Sequence, residues 1–261
     1  MQISTAAYES KLAEIEDNAL FISYFRSFLS KHRTEIAAHF YNLGGENRGF
    51  ANEFNKNLTH ATSDPASAFQ GLVLQATGVL EEFLGYAIRT YVEAASEHPS
   101  HWSDERKVKV EREFLVRAGQ GLKYEPSGTW DGVDFDFQKL RENLACTLSA
   151  EKPSSFSGDV FVIRIGTCTS DKIEGLFKSI GFEGLFSTDF GKHSAIKAYT
   201  SETVATKSAN RIKADLESLA KLRNRLAHGM GTADVELNTT LSATALVRAV
   251  VLAVADQLSF D

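Results

Sequence analysis

Tyr8, Leu12, Ile15, Ile22, Phe25 and Leu29 recur at spacings of three, four and seven, with Lys11, Glu14 and Arg26 between them. One apolar helix face has this signature, so the chain is expected to open on a long amphipathic helix. Gly44-Gly45 begins a polar, Asn- and Gly-rich stretch that runs to Ser63 and reads as a loop with one short helix at most. Ser63-Asp64-Pro65 then supplies a cap and a first-turn proline, and residues 66–97 are apolar enough for a central, largely buried helix that Pro99 closes. Ser103-Asp104-Glu105 caps a further amphipathic helix to about Leu122, and Asp134 to Ser149 predicts a fourth.

The pattern changes from Pro153 to Thr169. Val160-Phe161-Val162-Ile163-Arg164-Ile165 is β-branched and aromatic, which predicts a short extended piece. Ser170-Asp171 caps a short helix ending at Gly181, a Gly- and Phe-rich loop follows, and a helix from about Glu202 to His228 is stopped by Gly229 and Gly231. Ser242 to Phe260 closes the chain as an apolar helix. The expected fold is all-α with a minor extended element at most. Residues 1–62 form a helical extension and loop, either apart from or continuous with a helical domain over 63–261. No internal repeat or low-complexity tract is present.

Composition narrows the picture. A chain of 261 residues, 43% hydrophobic and 24% charged, has enough apolar surface to bury a real core. The net charge of -6 argues against a surface coated with basic groups, so any nucleic-acid site must be a local patch. Cys146 and Cys168 are far apart without metal-ligand or disulfide-framework spacing, which fits a reducing compartment. The first residues are polar and acidic, and the most apolar stretch, Ala245 to Ala255, is interrupted by Arg248. A cytoplasmic location and no membrane association are expected.

The local patch lies before Gly229. On a helical wheel Ile212, Leu216, Leu219, Leu222 and Leu226 form a core face, and Lys213, Glu217, Lys221, Asn224 and His228 form one polar stripe beside it. Arg223 leaves that stripe and projects near the edge of the leucine face, where a guanidinium is costly without a partner or ligand. Lys207, Arg211, Lys213, Lys221, Arg223 and Arg225 face only Asp215 and Glu217 in this stretch. His228 falls in the last turn, where the negative end of the helix dipole suits a cation, and histidine is the side chain that ordinarily exchanges protons near neutral pH.

RNA carries its own nucleophile, the 2′-hydroxyl. Cutting it needs no metal if one group takes that proton and a cation stabilises the phosphate as charge builds. Arg223 and His228 are the right two groups, Asn224 suits an orienting role, and Arg225, Lys221 and Lys213 suit backbone gripping. The same residues also admit a bland reading, in which Arg223 simply salt-bridges another helix.

Arg223-Asn224-(x)3-His228, with Ala227 before the histidine and Gly229 after it, resembles the Arg-x(4 to 6)-His signature of the HEPN superfamily. Ala76-Thr77-Gly78-Val79-Leu80-Glu81-Glu82-Phe83-Leu84 is similar to the central helix of the RiboL-PSP-HEPN branch, and Ser170-Asp171-Lys172-Ile173-Glu174-Gly175-Leu176-Phe177 with Gly181-Phe182 to its short glycine-terminated helix. The resemblance implies a helical bundle that forms a homodimer with the two Arg-His motifs facing across a two-fold. It also implies an endoribonuclease without cofactor or metal, and use in toxin-antitoxin or phage-defence systems alongside an antitoxin or defence partner. A tyrosine that some such toxins carry two residues after the histidine is Met230 here, which argues against regulation by its modification.

Other residues carry weaker signals. Glu82, Tyr86 and Arg89 share a face of the central helix, so Glu82 either supports the site, as an acidic residue there does in the resembled family, or pairs within its own helix. Glu217 is a second supporting candidate. Glu97, His98 and His101 do not make a metal cluster, the glycine pairs lack phosphate-loop spacing, and Phe182, Phe186 and Phe190 suit packing better than base stacking. Two readings remain: a metal-independent endoribonuclease, or a non-catalytic module binding RNA, a nucleotide or a partner protein.

Overall fold

The computed structural model describes residues 1–42, 66–97, 102–149, 156–163, 165–229 and 235–259. Helix dominates: α1 (Ala6–Asn42), α2 (Ala66–Glu97), α3 (Asp104–Leu122), α4 (Phe137–Leu148), α5 (Asp159–Val162), α6 (Ser170–Ser179), α7 (Thr188–Lys192), α8 (Ser194–Thr200), α9 (Ala205–Ala227) and α10 (Leu237–Leu258). Among the described residues the extended structure is one two-residue hairpin, β1 (Thr129–Trp130) and β2 (Val133–Asp134), pairing Thr129 with Asp134 and Trp130 with Val133. Asp131 and Gly132, both at positive φ, make the tight turn that such a pairing needs.

The bundle is organised around α2 and α10, which pack on each other, with α1 against both. Phe83, Leu84, Ala87 and Ile88 of α2 are fully buried, as are Val247, Val250, Val251 and Val254 of α10. A helix apolar on every side needs neighbours on every side. α10 is long and apolar enough by composition to cross a bilayer, yet its one arginine, Arg248, grips Glu16 of α1 through two bonds of 2.8 and 3.0 Å. α1 runs antiparallel to α10: near its other end the Ile3 N–H donates to Ser259 Oγ at 3.1 Å. Lys11 of α1 also pairs with Glu82 of α2 at 2.6 Å, and Tyr8 packs edge-on against Phe83.

Several expectations need correction. The apolar run Val160–Ile165 is not extended: Asp159–Val162 is a helical turn with Val160 and Phe161 buried. A short apolar run has no periodicity to separate strand from helix, and here the burial of Val160 and Phe161 goes with a helical turn. The helix expected from Asp134 starts at Phe137, capped by Asp136, whose side chain accepts from the Lys139 N–H. Thr169, not Ser170, caps α6, and the Phe-rich loop contains α7 and α8. Phe25 does not join the α1 core face; it is 47% exposed and stacks on the outward Phe21. The expected loop and cap over 44–65, the stops at Pro99 and Gly231, and Arg164 lie outside the described residues.

Candidate functional site: the C-terminal end of α9

α9 forms because Ser208, Ala209, Ile212, Leu216, Leu219 and Ala220 fall on one buried side, with Leu222 and Leu226 packed at its margin. It ends where expected. The His228 N–H donates to the Asn224 carbonyl at 3.1 Å, and Gly229, at φ +62°, turns its N–H back to Leu226 at 3.3 Å. A left-handed glycine one place past the cap closes the helix without a Cβ clash.

The polar stripe beside this face fastens α9 to the segment before and within α6. Lys213 Nζ lies 3.0 Å from Glu174 Oε2 and 5.5 Å from the Phe186 ring centre. Glu217 Oε1 accepts from both the N–H and the hydroxyl of Ser170, each at 2.8 Å. Asn224 Oδ1 accepts from the Thr167 hydroxyl at 3.0 Å. Lys213 and Glu217 thus have intramolecular duties, and Asn224 has one partner already. Further along, Arg211 pairs with Asp215, which also accepts from the Tyr199 hydroxyl. Burial and that carboxylate push the Tyr199 phenol up to about 12.

Lys221, Arg225 and His228 are different. All three side chains are exposed, and among the described residues none makes a hydrogen bond or ion pair. Arg223 lies between these situations, with its side chain 30% exposed. Its Nη1 is 3.5 Å from Asn224 Oδ1, and its Nη2 is 3.9 Å from Glu81 Oε1.

Glu81 is the residue that sequence reasoning missed. It projects from α2 toward Arg223, while Glu82, one place on and about 100° around the helix, turns to Lys11. Arg89, the other charged member of the Glu82 face, goes to Asp159, so no intrahelical pair forms between them. Glu81 Oε1 is buried and accepts no hydrogen bond; at 3.9 Å the guanidinium attracts it without bonding to it. Burial therefore holds this carboxyl above its ordinary range, with Arg223 and then Lys172 pulling it partly back. Cys168 sits in the same group. Burial first, and Glu81 second, push its thiol up to about 12, which keeps it a neutral thiol rather than a nucleophile.

The end of α9 therefore offers a half-buried guanidinium next to a carboxyl that burial holds above its ordinary range, an amide, an open imidazole, and two cations without acidic partners among the described residues. That set suits a phosphate with a proton to move. Among the described residues no group of three or more His, Cys, Asp or Glu could hold a metal ion. His98, His101 and Met230 lie outside the described residues, and Phe186 and Phe190 are core, with Phe182 packed on Tyr91 and Phe177. No family model matches the chain, and neither any curated protein nor any solved structure matches it.

Proposed function

We propose that this chain is a metal-independent endoribonuclease of HEPN type, with Arg223 and His228 as the reacting pair. The observation that carries the reading is the company at one helix end: Arg223, Asn224 and His228, the first and last five residues apart, flanked by exposed Lys221 and Arg225 that no acid among the described residues pairs with. Five residues span about 7.5 Å of helix axis, the scale of one nucleotide step.

In this mechanism His228 takes the proton of an RNA 2′-hydroxyl, whose oxygen attacks the adjacent phosphorus. Arg223 stabilises the extra negative charge on the phosphoryl oxygens as the bond to the 5′-oxygen breaks. The leaving 5′-oxygen collects a proton from the imidazolium of a second copy facing the first across a two-fold. The products are a 2′,3′-cyclic phosphate, or the 3′-phosphate it hydrolyses to, and a 5′-hydroxyl. Lys221 and Arg225 hold the flanking backbone as point charges. A toxin or defence effector acting in the cytoplasm goes with this reading.

A second reading is favoured by one specific observation. Arg223 already leans on Glu81 and Asn224, as an arginine joining two helices does. In that case the motif is a binding patch without catalysis. Incubating the purified chain and His228→Ala with total RNA in EDTA separates the two. Cleavage by the first and not by the second supports the nuclease. Salt-sensitive RNA binding without cleavage supports the module.

A further inference from the structure

α3 meets the segment that follows α6 where Arg106 stacks on Phe182 at 4.3 Å and Lys109 pairs with Glu183. Both helices also line a cavity of about 500 Å³. Its floor is Leu84, Val160, Phe161 and Ile173, all buried and all apolar. The volume is that of a small-molecule site, and an apolar floor with a few polar groups at the mouth is the usual make-up of one.

The polar groups of the lining come from both helices, Glu113, Arg117, Gln120 and Lys123 from α3 or just after it and Lys172 from α6. Lys123 follows the last turn of α3, with its Nζ 4.8 Å from the Tyr124 ring centre, and Lys172 stands in the first turn of α6. Both line the cavity and are exposed, and among the described residues neither makes a hydrogen bond or an ion pair. Arg117, further in, is already held by Glu113 at 2.7 Å. Trp130 also lines the cavity, stacked on Tyr124 and only 3% exposed. Its indole Nε1–H is buried and finds no acceptor. A buried donor without a partner is costly, and this one is packed within the cavity wall.

We propose that this cavity binds an amphipathic organic anion, with its apolar body on the Leu84–Phe161–Ile173 floor and its carboxylate or phosphate head between Lys123 and Lys172. A neutral apolar ligand would fill the floor and leave both ammonium groups without a hydrogen-bonded partner, Lys172 feeling only the longer-range pull of Glu81. A small inorganic anion would meet the lysines and leave the floor wet. The amphipath satisfies both.

Decanoate is a suitable probe, with decyl phosphate as the other head chemistry and decanol and acetate as controls. The chain has two tryptophans, so Trp102→Phe leaves Trp130 as the only indole reporter. Expected is saturable change in Trp130 emission with decanoate or decyl phosphate, whichever binds more tightly naming the head, and binding of decanol and acetate weaker by more than about tenfold. Calorimetry on the unsubstituted chain should give one site per chain and the same ranking. Lys123→Ala combined with Lys172→Ala removes only exposed side chains, so its fold is checked by circular dichroism, and it should lose about tenfold in affinity for the anions while decanol is unaffected. Equal binding of decanol and decanoate, no saturable binding of either anion, or an unchanged affinity in the double variant overturns the proposal.

Discussion

Glu81 and Arg223 face each other across the seam between α2 and α9 at 3.9 Å, with a carboxylate oxygen that is buried and unbonded. The pair is electrostatically joined but not hydrogen-bonded, so the cost of burying the carboxylate is only partly offset. The folded chain accordingly holds the Glu81 proton to higher pH than the unfolded chain, whose glutamate titrates near 4.5. The stability tied to that proton is fully present below the unfolded value and is lost as pH rises through the folded one.

Glu81→Gln should therefore melt with the parent chain at acid pH and increasingly above it as pH rises from about 4 to about 8. Thermal denaturation of both proteins across that range is the measurement. A constant gap between the two curves would show that burial does not raise this carboxyl. The pull of Arg223 and Lys172, which partly offsets burial, keeps the expected gap modest.

If the end of α9 cuts RNA, Arg223→Ala and His228→Ala should each lower the cleavage rate by about 100- to 1000-fold, the usual cost of removing a positioned donor or base. Asn224→Ala should cost less, since Thr167 already engages the amide. Arg225→Ala should leave the single-turnover rate nearly unchanged and weaken binding, lowering the salt slope by about one. Rates at saturating RNA and affinities at several salt concentrations distinguish these classes.

Gly191 of α7 lets that short helix sit directly on the start of α9. A Cβ there would run into the Ala205 carbonyl group and come within 3.2 Å of the Ala209 backbone nitrogen. Backbone cannot swing aside as a side chain can, so Gly191→Ala should cost about 2 to 3 kcal/mol, read as a lowered melting temperature. A variant as stable as the parent would mean that α7 shifts on α9 without penalty.

Cys168 should resist alkylation. With its thiol pushed up to about 12, the thiolate fraction at neutral pH is smaller than that of an ordinary thiol by about three orders of magnitude. Iodoacetamide followed by peptide mass spectrometry should find Cys146 modified first, with Cys168 slower by well over tenfold. Equal labelling would place Cys168 in a more open setting than the fold gives it.

Long periodic segments were legible from the sequence. The central helix expected over 66–97 occupies Ala66–Glu97, because its apolar content is a local property of the segment. The leucine face and polar stripe of α9 were legible for the same reason. Choosing between Glu81 and Glu82 was not. A wheel separates them by about 100° but does not say which neighbour lies on which side, and that is set by the packing of α1 and α9 on α2. The Asp131-Gly132 hairpin carries a local signal, an Asp-Gly pair between Trp130 and Val133, but strands of two residues leave almost no alternation to read beside it. The Val160–Val162 turn carried a misleading one, since β-branched residues in a fully buried position answer to packing before propensity.

The stretch from Ile165 to Thr169 looks two ways at once. Thr167 holds Asn224 on one side, while Ile165, Gly166 and Cys168 form a wall of the cavity on the other. Any guest in the cavity whose affinity depends on how this stretch sits must change the affinity of whatever binds beside Arg223, and by thermodynamic reciprocity the effect runs back with the same factor. Five residues of wall would thus make the two proposed ligands into each other's effectors.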